Sequence, residues 1–396
     1  MASKKSKNNQ ATNSGAALAS CEDLMLCVLA RLPVKSICRF KSVCESWNDL
    51  LSTQEFIKMK FKLSNESKNQ SFLVHTVDWN GNGSTRNNFF VFNILDKKAN
   101  ILDYPFDYTC VGFDIGIRIV GCCNGLVCIK HVERFVLWNP AMNLCKTVLP
   151  LEDWFCKSYS IGFGYDAEGD DFKVVRILLK YKRRLNNRRR VWCVSYVEVY
   201  SVNSDSWTTI YPGFEFSELG LYCIVNNATM NGNPCWFGKV GKNDVLVCFD
   251  MSKLVFKFVP LSSLDYNKAE HDIEFVDLNG SLGALVFTRE NQWKTRWKKG
   301  KRIEYIGSWV FDDGEQIWTK SHSVGPIKVE PDQVLRCLKD GRVLGKRPNG
   351  QLVVFNSEKC VKDLFNFGHN FRIYDYTASM AYIKGMEKVA LRKTWL

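Results

Sequence analysis

Phe135-Val136-Leu137-Trp138-Asn139-Pro140 decides how most of this chain is read. A short run of valine and aromatic residues favours a strand, and Asn-Pro ends it in a turn. The same strand, polar turn and following strand return at Val197-Glu198-Val199-Tyr200-Ser201 and Val245-Leu246-Val247-Cys248-Phe249-Asp250. Trp309-Val310-Phe311-Asp312 and Leu352-Val353-Val354-Phe355-Asn356 continue the series, and Phe90-Val91-Phe92-Asn93 begins it. From Phe92 through Trp138, Tyr200, Phe249 and Phe311 to Phe355 the period is roughly 45 to 60 residues, close to a kelch-type blade.

A second element recurs with it. Asn124-Gly125, Asn231-Gly232, Asn279-Gly280 and Asp340-Gly341 each precede an apolar run, and such pairs favour tight hairpins because both residues tolerate positive φ. Six units of this kind predict a six-bladed, kelch-like β-propeller, whose radial repeats leave only short edges. A β-sandwich, which needs no such long period, is the alternative.

The N-terminal part reads differently. Residues 1–19 are polar and of low complexity, a tail expected to be disordered. Residues 20–64 read as a module of three helices. Ser20 and Asp23 suggest a capping box for a helix over Asp23–Leu32, which Pro33 stops. A second helix covers Val34–Lys41, with Ile37 and Phe40 on one face, and a third carries Val43, Cys44, Trp47, Leu50 and Leu51. Residues 70–384 form the β domain and 385–396 a C-terminal tail. The fold class is therefore a two-part α+β chain, with a small helical module ahead of a large all-β domain. About 45 residues bury too little surface to enclose this many apolar side chains. The helices must either dock on a partner or pack on the β domain, and periodicity alone leaves both open.

Composition narrows the function classes. The chain has 54 Lys and Arg against 41 Asp and Glu, a net charge of +13. Part of the excess lies in Lys180–Arg190 (KYKRRLNNRRR), which reads as a solvated loop between two strands. Trp293, Arg296 and Trp297 fall in a second basic, aromatic stretch, which reads as a loop able to contact a protein and, as an alternative, a nucleic acid. Met1–Ala19 lacks an apolar signal core, and no run approaches a membrane span, so a cytosolic or nuclear location with no membrane role is expected. In that reducing setting the 16 cysteines, Cys235 and Cys248 among them, are expected as buried thiols rather than disulfides or metal ligands. Gly162-Phe163-Gly164 reads as a strand element and Asp170-Asp171 as turn chemistry. No phosphate loop, nucleophile elbow or His/Cys ligand set occurs, so no catalytic, cofactor-binding or metal site is assigned.

The stretch Leu32-Pro33-Val34-Lys35-Ser36-Ile37-Cys38-Arg39-Phe40-Lys41-Ser42-Val43-Cys44-Glu45-Ser46-Trp47 resembles the centre of a plant F-box. Gly121-Cys122-Cys123-Asn124-Gly125-Leu126-Val127-Cys128, Leu137-Trp138-Asn139-Pro140 and Ile161-Gly162-Phe163-Gly164-Tyr165-Asp166 resemble the F-box-associated domain of plants. One departure is visible: Ser20-Cys21 stands where the family carries Leu-Pro. The resemblance, whose layout S-locus-type and defence-type F-box proteins share, implies a non-catalytic substrate receptor of an SCF (Skp–cullin–F-box) ubiquitin ligase. It implies docking to the Skp adaptor subunit, and through it to the cullin–RING ligase, by Leu24, Val28, Leu29, Leu32, Pro33, Val34, Ile37, Phe40, Val43, Cys44 and Trp47. An unidentified protein substrate is expected on loops of the β domain, with Arg183, Arg184, Arg188, Arg189, Arg190, Trp293, Arg296 and Trp297 as candidate contacts. The alternatives are an adaptor-independent scaffold whose helices pack inward and a nucleic-acid-binding propeller using the basic loops.

Overall fold

The six aromatic residues that mark the sequence period, Phe92, Trp138, Tyr200, Phe249, Phe311 and Phe355, are all buried, each in a different sheet. The computed structural model describes residues 24–66, 69–79, 85–104, 117–131, 134–151, 158–183, 190–211, 219–221, 228–267, 271–278, 281–288, 306–324, 333–355 and 361–389. Its helices are α1 (24–29), α2 (Val34–Phe40), α3 (Glu45–Ser52) and α4 (Gln54–Glu66).

Six antiparallel sheets follow. The first holds β1 (Ser71–Trp79), β2 (Thr85–Asn93) and β3 (Lys98–Ile101); the second, β4 (Arg118–Cys123), β5 (Leu126–His131), β6 (Arg134–Asn139) and β7 (Leu144–Val148). The third is β8 (Ser158–Asp166), β9 (Asp171–Arg183), β10 (Arg190–Ser201) and β11 (Ser206–Ile210). The fourth is β12 (Leu219–Leu221), β13 (Ala228–Met230), β14 (Asn233–Val240), β15 (Asn243–Asp250) and β16 (Val255–Pro260). The fifth is β17 (His271–Leu278), β18 (Ser281–Thr288), β19 (Ile306–Asp312) and β20 (Ile317–Val324). The sixth is β21 (Gln333–Cys337), β22 (Val343–Lys346), β23 (Gln351–Phe355) and β24 (Val361–Asn366). The chain then returns: β25 (Phe371–Tyr376) pairs with β1 from Ser71↔Tyr376 to Thr76↔Phe371, so one blade contains both ends of the domain. This is the six-bladed propeller, closed by its own C-terminal strand.

The recurring turn has a physical cause. Asn93, Asn139, Asp250 and Asp312 each end the third strand of a blade counted from the centre, and each accepts through Oδ1 the backbone N–H groups of the second and third residues after it. The last turn residue then takes positive φ: Lys97 at 51°, Asn143 at 56°, Leu254 at 57°, Gln316 at 58°. A short polar side chain is what lets the strand end in this geometry. Asn124-Gly125 (45°, 79°) and Asn231-Gly232 (48°, 80°) are tight hairpins with both residues at positive φ. Asp340-Gly341 is built otherwise, with only Gly341 of the pair at positive φ and Asp340 Oδ1 accepting from the Arg342 amide.

Adjacent blades are held by apolar clusters and a few buried ions. Val120, Leu126, Leu137, Ile161 and Phe163 pack between the second and third blades. Gly164 permits close approach of the fourth: a Cβ there would lie 2.0 Å from the Gly232 carbonyl oxygen. Lys173 bonds Asp166 at 2.6 Å and the Met251 carbonyl at 2.8 Å, tying the third blade to the fourth. At the closing seam Arg336 of β21 pairs with Glu274 of β17 and Asp375 of β25, and donates to the Ile373 carbonyl at 3.3 Å. Burial pushes the Glu274 carboxyl up, against the opposing pull of Arg336.

Several sequence expectations are corrected. The first helix ends at residue 29 and the chain turns through Leu32, with i→i+3 bonds from Arg31 to Val28 and from Leu32 to Leu29. Val43 and Cys44 precede α3, with Cys44 at its N-cap in extended conformation. A fourth helix, α4, extends the module: Thr53 Oγ1 caps it by accepting from the Phe56 amide at 3.3 Å. Cys235 and Cys248 are a disulfide between β14 and β15, because the register sets them directly opposite. The expected loop over Lys180–Arg190 is shorter, since β9 and β10 stay paired out to Arg183↔Arg190. Inside the stretch expected as a C-terminal tail, β26 (Glu387–Lys388) pairs with β7. Residues 1–23, Arg184, Arg188, Arg189, Trp293, Arg296 and Trp297 lie outside the described residues.

Candidate functional site

The helical module divides the expected adaptor-contact residues into two sets. Leu29, Val34 and Ile37 are buried in one cluster with Ala30, Leu51 and Phe56, and that cluster is completed by Met380 from the chain after β25. Ala141, Met142 and Ala378 of the β domain pack against it. These three expected contact residues are therefore buried in a cluster that the helices share with the propeller. Leu24, Val28 and Val43 stay outside that cluster, 68%, 56% and 66% exposed. Pro33 and Cys44 are also exposed. Leu32, Phe40 and Trp47 are half-buried, the Phe40 and Trp47 rings meeting edge to face with centroids 5.5 Å apart.

Polar contacts fix the join. Lys58 of α4 lies 3.0 Å from Asp170 in the β8–β9 turn, and Asp170 also accepts from the Tyr165 hydroxyl. That pairing explains why the Asp170 carboxyl is held below the usual range, by Tyr165 first and Lys58 next. Lys339 donates to the Asn65 carbonyl, and its amide donates to Gln70 Oε1 at 2.9 Å. Asn65 and Gln70, on either side of the link, are thus both bonded to Lys339.

At the centre of the blades lies a cavity of about 2020 Å³. Cys122, Tyr374 and Arg336 line its wall, and Lys60 and Phe61 of α4 contribute at the end where the helices sit. Lys60 is buried, donates to Ser64 Oγ at 3.0 Å, and burial lowers its ammonium below the usual lysine value. Burial pushes the Cys123 thiol up to about 12 and that of Cys122 further, so neither is a nucleophile at neutral pH. Among the described residues no cluster of three His, Cys, Asp or Glu side chains could hold a metal ion. No helix among them is long and apolar enough to cross a membrane.

The F-box-associated beta propeller domain family matches residues 82–390, and the F-box domain family matches residues 21–59. The chain belongs to the F-box-associated propeller family. Two F-box/kelch-repeat proteins of Arabidopsis thaliana are similar to this F-box protein. One is 23% identical over 281 residues, covering 67% of this chain and 61% of its own length. The other is 27% identical over 287 residues, covering 67% and 72%. This F-box protein thus spans less than two thirds of the first relative's length. The structure of TolB from Acinetobacter baumannii aligns with a TM-score of 0.41 at 8% identity, covering 76% of this chain and 65% of that one.

Two sets of site residues were not legible in the sequence. Met380, Ala378, Ala141 and Met142 give no F-box signal, because they are ordinary apolar residues of a turn and a C-terminal strap. Nor does spacing separate Leu29 and Ile37 from Leu24 and Val28. All four sit on short helices that are apolar on two sides, and only the packed structure tells the buried pair from the exposed one.

Proposed function

We propose that this F-box protein is the substrate-recognition subunit of an SCF-type ubiquitin ligase. The exposed side of its helices binds the Skp adaptor subunit, and the β domain holds a protein target for ubiquitination and proteasomal degradation. The observation that carries the reading is the F-box that leaves Leu24, Val28 and Val43 exposed while its other side is covered by the propeller. Apolar side chains on α1 and in the turn before α3 are costly to leave in water, and a partner helix surface would cover them. The protein contributes proximity: a target bound to a blade loop is held near the ubiquitin-transferring subunit, and other subunits carry out the chemistry. Cytosol and nucleus, where such ligases work, are the proposed locations.

One observation favours a second reading. Leu29, Val34 and Ile37 belong to the expected docking set yet are buried in a cluster shared with Met380 of the β domain, as an adaptor-independent scaffold would have them. Co-expression of the full chain with a purified Skp subunit, followed by gel filtration, separates the two. A stoichiometric complex, able to join a cullin–RING subunit, is expected. Separate elution at micromolar concentration would leave the scaffold.

A further inference from the structure

Lys60 of α4 is a buried cation with no acid beside it. It is 6% exposed, and its ammonium donates to Ser64 Oγ at 3.0 Å. An ammonium carries three N–H donors, so one neutral acceptor leaves two for a further partner. No carboxylate among the described residues pairs with it, and burial alone lowers it below the usual lysine value. Taking a charge out of water without a counter-charge is costly. Lys58 and Lys62 of the same helix, both exposed, do have acids, Asp170 and Glu66.

The central channel has room for the missing counter-ion. Lys60, Phe61 and Ser64 fall on one helical face by their spacing, and all three line the cavity. Ala30 and Pro33 from the turn after α1 and Leu338 from the β21–β22 turn line it as well. The acids of the lining are each held by another cation. Glu66 lies 4.0 Å from Lys62, Asp340 2.6 Å from Arg342 and Asp375 3.5 Å from Arg336. The undescribed connections that adjoin lining residues at this end, 67–68 after Glu66 and 279–280 after Leu278, contain no Asp or Glu.

We infer that the channel beneath α4 binds a small organic anion, with its carboxylate or phosphate group on Lys60 and an apolar body against Phe61, Pro33 and Leu338. An oxyanion accepts charge-assisted hydrogen bonds from an ammonium. Burial strengthens that attraction, because salt screens a buried pair less than an exposed one. Phe61, Pro33 and Leu338 beside the cation favour an ion with an apolar body over a bare one. At about 2020 Å³ the cavity is larger than an ordinary ligand pocket of about 300–1,000 Å³, so the anion fills only the end beneath the helix. The lining joins α4 to the inner strands, so a bound anion ties the F-box to the propeller. The site is independent of the ligase role.

Calorimetry on the full chain with hexanoate, hexyl phosphate, hexanol and inorganic phosphate tests this. One or both organic anions are expected to bind with a Kd of about 1 mM, about tenfold or more tighter than hexanol or inorganic phosphate. The tighter of the two identifies the head group. Hydrogen exchange in α4 should slow when that anion is bound. Lys60→Met removes the charge and keeps an unbranched side chain. It is expected to lose about tenfold or more of the anion affinity. Without ligand it should melt at the same or a higher temperature, because an unneutralised buried charge is gone. A lower melting temperature with unchanged anion affinity would make Lys60 only a structural donor to Ser64 and overturn the inference. No binding of either organic anion at about 10 mM, or hexanol binding equal to theirs, would overturn it as well.

Discussion

Met380, four residues beyond the strand that closes the propeller, is buried in the same apolar cluster as Ile37 of the F-box. The two ends of the chain therefore share one core, and F-box packing depends on propeller closure. Met380→Ala removes a buried side chain from that cluster and is expected to cost about 2–5 kcal/mol. Hydrogen exchange should rise first in α2 and α4, ahead of the blades. Lys58→Ala breaks only an exposed pair and should cost under about 1 kcal/mol. Equal effects of the two changes in urea titrations would show that the ionic contact, not the apolar cluster, makes the join.

Gly125 and Gly341 give a matched pair for the hairpin turns. Both sit near φ +80°, where a side chain costs about 1–2 kcal/mol. A Cβ at 341 meets nothing within 4 Å, while one at 125 would lie 2.1 Å from Ser379 Oγ and 2.8 Å from the Thr377 carbonyl oxygen. Gly125→Ala should therefore exceed Gly341→Ala by about 1–3 kcal/mol, the usual range for overpacking. Similar losses in chemical denaturation would mean that the strap yields easily at Ser379.

The propeller is readable in the sequence because its repeat is written in short local patterns. The marker is the Asn, Asp or Ser that ends a strand and the buried aromatic just before it, as in Trp138-Asn139 and Phe249-Asp250. The irregular fourth blade, where β12 and β13 both pair with β14, is set by pairing between distant segments, and no short pattern encodes it. The F-box residues were readable as a set but not by side. Which of them meet the propeller depends on Met380, more than 300 positions away in the chain. The Cys235–Cys248 bond was missed for a similar reason: only the β14–β15 register places the two opposite each other.

Acid should loosen the seam between the third and fourth blades. Burial alone would raise the Asp166 carboxyl, but Lys173, Ser252 and the Gly169 amide hold it down to about 2. Its folded value lies below the unfolded one, near 3.9. Its contribution is therefore present above about pH 4 and lost as pH falls through about 2, and it amounts to about 2–3 kcal/mol. Asp166→Asn leaves Lys173 buried without a carboxylate, which should cost about 3–5 kcal/mol at pH 7. The same variant should lose that part of the stability slope between pH 4 and pH 2. An unchanged slope would assign the acid sensitivity to other carboxylates.

The F-box can be tested by side. Val28→Asp with Val43→Asp places two charges on the exposed face, where neither side chain belongs to the buried cluster. Surface changes of this kind usually alter stability by less than about 0.5 kcal/mol. A partner that desolvates the same face would have to bury both charges unpaired, which costs several kcal/mol and lowers affinity by about a hundredfold or more. The expected result is loss of the Skp complex at an unchanged melting temperature. Ile37→Ala makes the opposite case. Ile37 is fully buried in the cluster that also holds Met380, so truncation should cost about 2–5 kcal/mol of stability and weaken the adaptor only by loosening the helices. If Ile37→Ala abolishes adaptor binding while stability holds, the helices must leave the propeller to bind, and the covered side is the docking side. Should the double Asp variant bind as tightly as the parent, the exposed face carries no adaptor contact.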